Sequence, residues 1–360
     1  MNSWPNNRIL DLFEIELPVI QAPMAGASDP EMAIAVSEAG GLGSLPSAQY
    51  SVQQLRDALT SIRAATKKPI NLNFFSHTMP PHDPVAQMRW RALLAPYYVE
   101  FDLDPATTPP TAGRSPFDEA YCAVVEEFKP EVVSFHFGLP HKSLLDRVRA
   151  VGSKIISSAT TVAEARWLEE RDVDAIIAMG AEAGGHRGNF LSHDMSTQVG
   201  TMALVPQIVD AVGVPVIAAG GIGDGRGIAA AFMLGSAAVQ VGTAYLFCPE
   251  AKIPPVHLSA LKSARDDNTA ITNVFTGRPA RGIVNRIMME IGPMNDAVPA
   301  FPTAGGALAP LRSHCERSSN GDFTNLWAGQ SAHLAGQRAV SASELTVTLA
   351  ASALKLLVGS

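Results

Sequence analysis

Cysteine is scarce in this chain: there are three in 360 residues, Cys122, Cys248 and Cys315, with no CxxC pair and no Cys/His spacing of the kind that holds zinc. That argues against a disulfide framework or a zinc module and suits a reducing compartment such as the cytoplasm. Positive charge is short as well. With 27 Lys and Arg against 34 Asp and Glu, the net charge of −7 leaves no basic field to gather nucleic acid or anionic lipid. Long apolar runs are missing too. The amino-terminal stretch carries acidic residues where a signal peptide needs its apolar core, and the carboxyl-terminal run Leu345–Val358 is too short and interrupted to span a bilayer, so it reads as a docking helix. No GxGxxG turn follows the first apolar segment, which ends in Gln21-Ala22-Pro23-Met24-Ala25-Gly26. The remaining composition, 47% hydrophobic and 17% charged, is that of a globular protein able to bury a large core.

What is present is a strand–helix rhythm. Apolar segments at Pro18–Met24, Gly41–Ser47, Pro69–Phe75, Val132–Gly138, Lys154–Thr160, Asp174–Gly180 and Val216–Ile222, and an eighth ending in Gln240-Val241-Gly242-Thr243, read as buried strands. Helical patterns separate them at Pro30–Gly40, Val52–Ala65, Ser143–Val151, Val162–Asp172 and Asp224–Ser236. Eight such units with right-handed crossovers predict an α/β fold, a (β/α)8 TIM barrel rather than an open doubly wound sheet. Two stretches break the rhythm. Ser76–Ser115 holds seven prolines and no sustained period, and reads as an elaborated loop at the barrel rim ahead of a helix at Pro116–Phe128. Pro249–Gly321 carries helix-like pieces at Val256–Arg265 and Gly282–Gly292, then a Gly, Pro and Ala-rich segment at Gly292–Leu311. It reads as a small C-terminal cap or substrate domain, with 1–248 and 322–360 forming the barrel and 249–321 the cap inserted before the final helices.

The candidate chemistry lies at the strands' carboxyl ends. The glycines after the seventh and eighth expected strands, Gly220, Gly221 and Gly242, leave bare amides that can close on a phosphate. After the sixth strand, Gly180-Ala181-Glu182-Ala183-Gly184-Gly185-His186-Arg187-Gly188 holds one imidazole among four glycines, which makes His186 the acid/base candidate. Glu182 and Arg187 read as solvated loop charges. His136, between Phe135 and Phe137, should point toward the same mouth, with a satisfied core histidine as the equal alternative. Asn71 and Asn73 share one strand face and must be hydrogen-bonded, to backbone or to a ring with carbonyl and imide groups. Met24 packs either under a flat ring or into the core. No metal-ligand set is apparent.

Taken together, Gln21–Gly26, Ser134-Phe135-His136-Phe137-Gly138, Gly180–Gly188, Ala219-Gly220-Gly221-Ile222 and Trp327-Ala328-Gly329-Gln330 resemble, in order and setting, the motifs of the nitronate monooxygenase family, formerly called 2-nitropropane dioxygenases, and of its class I in particular. The resemblance covers nearly the whole chain. It implies an FMN-binding barrel that oxidises alkyl nitronates with dioxygen to carbonyl compounds and nitrite. By this resemblance Ala22, Pro23 and Met24 line the flavin, Asn71 lies near its ring, Gly184 and Gly185 approach it, and Gly220, Gly221, Gln240, Val241, Gly242 and Thr243 hold its phosphate end. Gln330 closes over its edge. His186 matches the active-site histidine, holding the nitro oxygens as a donor or, when neutral, removing the α-proton of a nitroalkane. His136 and Phe301 are the substrate-side candidates. Phe301-Pro302 and the small residues Thr303-Ala304-Gly305-Gly306 stand where relatives often carry tyrosine, which points to apolar alkyl nitronates over carboxylated ones. The partners implied are a nitronate and dioxygen, without nucleic acid or membrane, and with a homodimer left open. Two other readings stand beside this one. The first is an FMN-dependent NAD(P)H enoyl-thioester or quinone reductase on the same barrel, and the second is a barrel that binds a phosphoryl ligand without catalysis.

Overall fold

In a computed structural model, which describes residues 4–105, 114–335 and 340–359, the strands form two sheets. In chain order they are β1 (Val19–Gln21), β2 (Gly43–Pro46), β3 (Ile70–Phe75), β4 (Val132–His136), β5 (Lys154–Ala159), β6 (Ala175–Met179), β7 (Gly185–His186), β8 (Val216–Ala219), β9 (Ala238–Val241), β10 (Thr269–Thr272) and β11 (Ala280–Ile283). Eight run parallel in the order β1-β9-β8-β6-β5-β4-β3-β2. A parallel bridge between Ile20 and Leu42 joins the two ends, so the sheet is a barrel, as the rhythm of apolar segments predicts.

The strands are apolar throughout because each is covered on both faces. Inside, Ile20, Leu42, Val132, Ile156, Ile177 and Ile217 meet Ile9 and Phe13 from the helix Arg8–Phe13. That helix plugs the amino-terminal end, which leaves the carboxyl-terminal mouth as the accessible one. Outside, a second cluster packs the strands against the helices. Several helices begin at a side chain that takes up their free amides. Asp29, Asp118 and Asp224 each accept from two amides of the helix that follows, and Ser51 forms a reciprocal capping box with Gln54. A cap of this kind contributes about 1 kcal/mol. The carboxyl-terminal run does dock: the helix Ala342–Val358 packs on Gly225–Met233 and on Pro30–Glu38, with Tyr245 Oη and Thr346 Oγ1 2.8 Å apart beneath it. No helix among the described residues is long and apolar enough to cross a membrane.

The rim segment is not simply a loop. Residues Pro84–Glu100 form a helix that starts at Asp83, whose side chain accepts from Ala86 N, with Pro84 in the first turn. Proline is tolerated there because the amide it lacks would have no helical partner. Trp90, Leu94, Tyr97 and Tyr98 fall on one face, and Trp90 Nε1 donates to Ala304 O at 3.0 Å while Tyr98 Oη donates to Ala307 O at 2.7 Å. This helix therefore packs on the cap. Pro109 and Pro110 lie outside the described residues.

The cap differs from expectation in the same way. Gly282–Gly292 splits into the end of β11 and a helix at Arg286–Ile291, and the helix Gly305–Arg317 begins inside the Gly, Pro and Ala-rich stretch. Strand pairing overrides the local pattern here, since β11 sits between β10 and β7. β7 belongs to the loop after β6, so the barrel lends a strand to the cap sheet, with His186 opposite Ala280 and Gly185 opposite Arg281.

Candidate active site

The barrel strands end at one cavity. Of the residues singled out in the sequence, Ala22, Pro23, Met24, Asn73, His136, Gly184, Gly185, His186, Gly220, Gly221, Gln240, Gly242 and Thr243 line it. The others do not. Asn71, Asn73 and Phe75 alternate on the inward face of β3, and only the upper two reach the cavity. Asn71 lies one layer down, fully buried, donating from Nδ2 to Ser44 Oγ at 2.9 Å. Val241 is buried in the cluster between the strands and the helices. Gln330 is exposed and is tied down through its amide, which donates to Glu182 O at 3.0 Å. Phe301 is buried just behind the cavity, its ring 5.4 Å from that of His186 and 6.0 Å from that of Phe75.

One wall is bare backbone. Gly220 and Gly221 have φ of +107° and +72°, a region that residues with a Cβ avoid, so the turn after β8 requires glycine. A Cβ on Gly242 would stand 3.5 Å from Ala22 Cβ and 3.8 Å from Met24 Sδ, inside the cavity rather than in packed core. The turn Thr243–Phe247 begins there, and its first amides have no partner within the turn. Gln240 Oε1 is buried without a hydrogen bond among the described residues. An orphaned acceptor beside free amides points to a ligand that donates at one place and accepts at another.

The opposite wall is built around His186. Its Nε2 lies 2.9 Å from Thr276 Oγ1 of the cap. His136 holds the same strand from behind: its Nε2 is 3.2 Å from the His186 carbonyl and its Nδ1 is 3.1 Å from Ser158 Oγ. A carbonyl only accepts, so His136 carries its proton on Nε2 and takes the serine hydroxyl on Nδ1. Burial pushes the His136 pKa down to about 3, so it is a neutral brace at working pH. The His186 pKa is held well below 6.5, first by burial and then by the basic groups around it, Arg114, His136, Arg278 and His77. None of these is acidic. Arg114 stands over Phe301, its guanidinium carbon 5.8 Å from the ring centre, and Arg278 covers Phe137 at 3.8 Å. Burial lowers each guanidinium to about 10, which leaves both charged near neutral pH. His77, lowered to about 4 by burial and then by Arg278, makes no hydrogen bond of ordinary geometry through either ring nitrogen among the described residues.

Two loop charges read as solvated are not. Arg187 is fully buried, donating from Nε to Gln198 Oε1 at 2.8 Å and from Nη2 to Met179 O at 2.9 Å. Glu182 accepts from Thr201 N at 2.8 Å and Thr201 Oγ1 at 2.9 Å, capping the helix Thr201–Val209 from outside. The glycine-rich loop folds back under that helix, and both side chains serve to hold it. Residues that the sequence reading did not single out are Ser134, Ser158, Thr276, His77, Arg114 and Arg278. The two serines interrupt apolar strands, which is a usable signal. The others come from the rim and the cap, where no local pattern points inward.

A family model described as nitronate monooxygenase matches residues 6–351. The chain is 39% identical to the nitronate monooxygenase of Pseudomonas aeruginosa, covering 95% of this chain and 98% of that one. It is 36% identical to a probable nitronate monooxygenase of Staphylococcus saprophyticus, covering 91% and 93%. Among solved structures, a nitroalkane oxidase from Streptomyces ansochromogenes superposes with a TM-score of 0.87 at 36% identity, over 97% of this chain and 98% of that chain. FabK from Thermotoga maritima superposes with a TM-score of 0.73 at 29% identity, over 99% and 98%. The order of the motifs, the closed barrel and the histidine loop at its mouth agree with these likenesses, and the chain belongs to the nitronate monooxygenase family.

Proposed function

We propose that this protein oxidises alkyl nitronates with dioxygen to a carbonyl compound and nitrite, using FMN held across the barrel mouth. The observation that carries the reading is the pairing of His186 on one wall with bare glycine backbone after β8 and β9 on the other. That donor and acceptor set fits a flavin mononucleotide. Gly221, Gly242 and Thr243 offer amides to a terminal phosphate, Gln240 Oε1 offers an acceptor, and Ala22–Met24 offer an apolar floor for a flat ring. The lack of a pyrophosphate turn argues for FMN over FAD. When bound, the flavin supplies an electron acceptor that also reacts with dioxygen.

The remaining tasks fall to the chain. Arg114 and Arg278 bring positive charge to the wall where an anionic nitronate docks. Phe75, Phe137 and Phe301 shield the reacting carbon from water. Neutral His186 can accept the α-proton of a nitroalkane or, through a ring N–H, hold a nitro oxygen. The expectation that the surroundings of Phe301 are apolar does not hold, because Arg114 stands over its ring and His77 meets its edge at 4.8 Å. The wall thus offers the cation a carboxylated nitronate needs, and we extend the substrate class to both types. The buried, unpaired Cys122, Cys248 and Cys315 suit the reducing cytoplasm.

Purified protein should be yellow, release FMN on denaturation, and form nitrite from a panel of alkyl nitronates without nicotinamide. Colourless protein that cannot be reconstituted with FMN would sink the cofactor assignment. Rapid NADH oxidation by an enoyl thioester or quinone, with no nitrite from any nitronate, would promote the reductase reading.

A further inference from the structure

We propose that Thr276 is a positioning residue that fixes His186 as its Nε2–H tautomer, leaving Nδ1 as the base that takes the α-proton of a neutral nitroalkane. The inference rests on the nitronate-oxidising reading of the same site. Pairing of β7 with β11 brings the two residues together, and Arg187 N donating to Pro279 O at 2.8 Å extends the ladder past His186. Thr276 is buried, with Oγ1 2.9 Å from His186 Nε2, 3.3 Å from the Arg278 carbonyl and 3.4 Å from the Arg278 amide nitrogen.

A threonine hydroxyl has one proton to give and two lone pairs to receive. The Arg278 carbonyl can only accept and the Arg278 amide can only donate. All three contacts are satisfied together when the hydroxyl proton goes to the carbonyl and the oxygen receives both the amide N–H and the imidazole N–H. The opposite assignment sets the carbonyl against hydroxyl lone pairs. The ring's surroundings favour the same answer. The titratable groups facing it are Arg114 from the rim, His77 after β3, His136 on β4 and Arg278 from the cap, with the rings of Phe75, Phe301 and Trp327 between them. With no carboxylate among these groups, an outward lone pair suits the site better than an outward N–H.

Proton transfer then balances without a further reactant. The α C–H bond breaks, its electron pair becomes the C=N bond of the nitronate as the N=O π pair withdraws onto a nitro oxygen, and an N–H bond forms at Nδ1. The resulting imidazolium faces the nitronate made in the same step.

The test uses the FMN-loaded protein. Nitrogen-15 spectra of histidine-labelled wild type should show His186 protonated on Nε2 and bare on Nδ1. Thr276→Val should lower kcat/KM for nitroethane at least about tenfold more than for its preformed nitronate, with Thr276→Ser recovering most of the loss. A proton on Nδ1 in the wild-type spectrum would overturn the proposal, and that measurement stands even if the variants do not fold. Equal loss on both substrates would mark Thr276 as merely structural. Nitrite from preformed nitronate by the wild type reports on the family reading separately.

Discussion

His186 combines a depressed pKa with a ring that lines the cavity, and the cause of the depression sets its pH behaviour. Burial and positive neighbours disfavour the imidazolium, so the neutral base persists as the pH falls below the ordinary histidine value of about 6.5. The kcat/KM for a neutral nitroalkane should therefore stay level through that pH and drop only in more acid solution. An acid limb at or above it in the free enzyme would contradict the assignment. His186→Asn keeps a hydrogen-bonding group without a base. It should retain FMN while losing neutral nitroalkane turnover by more than it loses nitronate turnover, as read by flavin absorbance per chain and by kcat/KM on each substrate. At this scale much of the cavity lining was legible, because residues at the carboxyl ends of barrel strands converge on one mouth. Arg114, His77 and Thr276 were not, since each reaches the site from a segment whose local sequence says nothing about direction.

The loop after β6 shows how an element is held by charges that look dispensable in sequence. Arg187, fully buried and clamped to Gln198 and the Met179 carbonyl, braces the loop under the helix Thr201–Val209. Arg187→Ala should lower stability by about 3 kcal/mol, because it leaves Gln198 Oε1 and a carbonyl without their donor and opens a void. Denaturant unfolding measures this, and a loss within about 0.5 kcal/mol would return Arg187 to the class of surface charges. The helix Pro84–Glu100 carries a related lesson. Its prolines at 84 and 96 obscured a pattern that Trp90, Leu94, Tyr97 and Tyr98 already spelled out, and only the cap surface at Ala304 and Ala307 gives those residues something to cover. β11 was hidden for a similar reason, as one of its partners, β7, is distant in sequence and only two residues long.

For the molecule as a whole, buried histidines couple folding to pH. His136 titrates near 3 and His77 near 4 in the fold, against about 6.5 when unfolded. Below that unfolded value the open chain binds protons that the native state refuses, so stability falls as the pH drops from about 6.5 toward 4. The carboxylates held low by their partners, such as Asp224 beside Arg226, act in the same direction at lower pH still. Denaturation midpoints at pH 8 and pH 5 should show the decline, and a midpoint unchanged or higher at pH 5 would contradict it. The barrel itself was the most legible feature, because parallel strands buried on both faces leave unbroken apolar runs whatever surrounds them.

On the ribosome, β7 is made well before the strand it pairs with. While the first six barrel strands are already free of the exit tunnel, His186 has no register partner at Ala280 and no hydroxyl at Thr276. The nascent barrel can gather its strands and helices, yet its imidazole has nothing to orient it until the cap has been translated and has folded back. A chain interrupted anywhere before Ala280 lacks that register partner, however much of the barrel it completes.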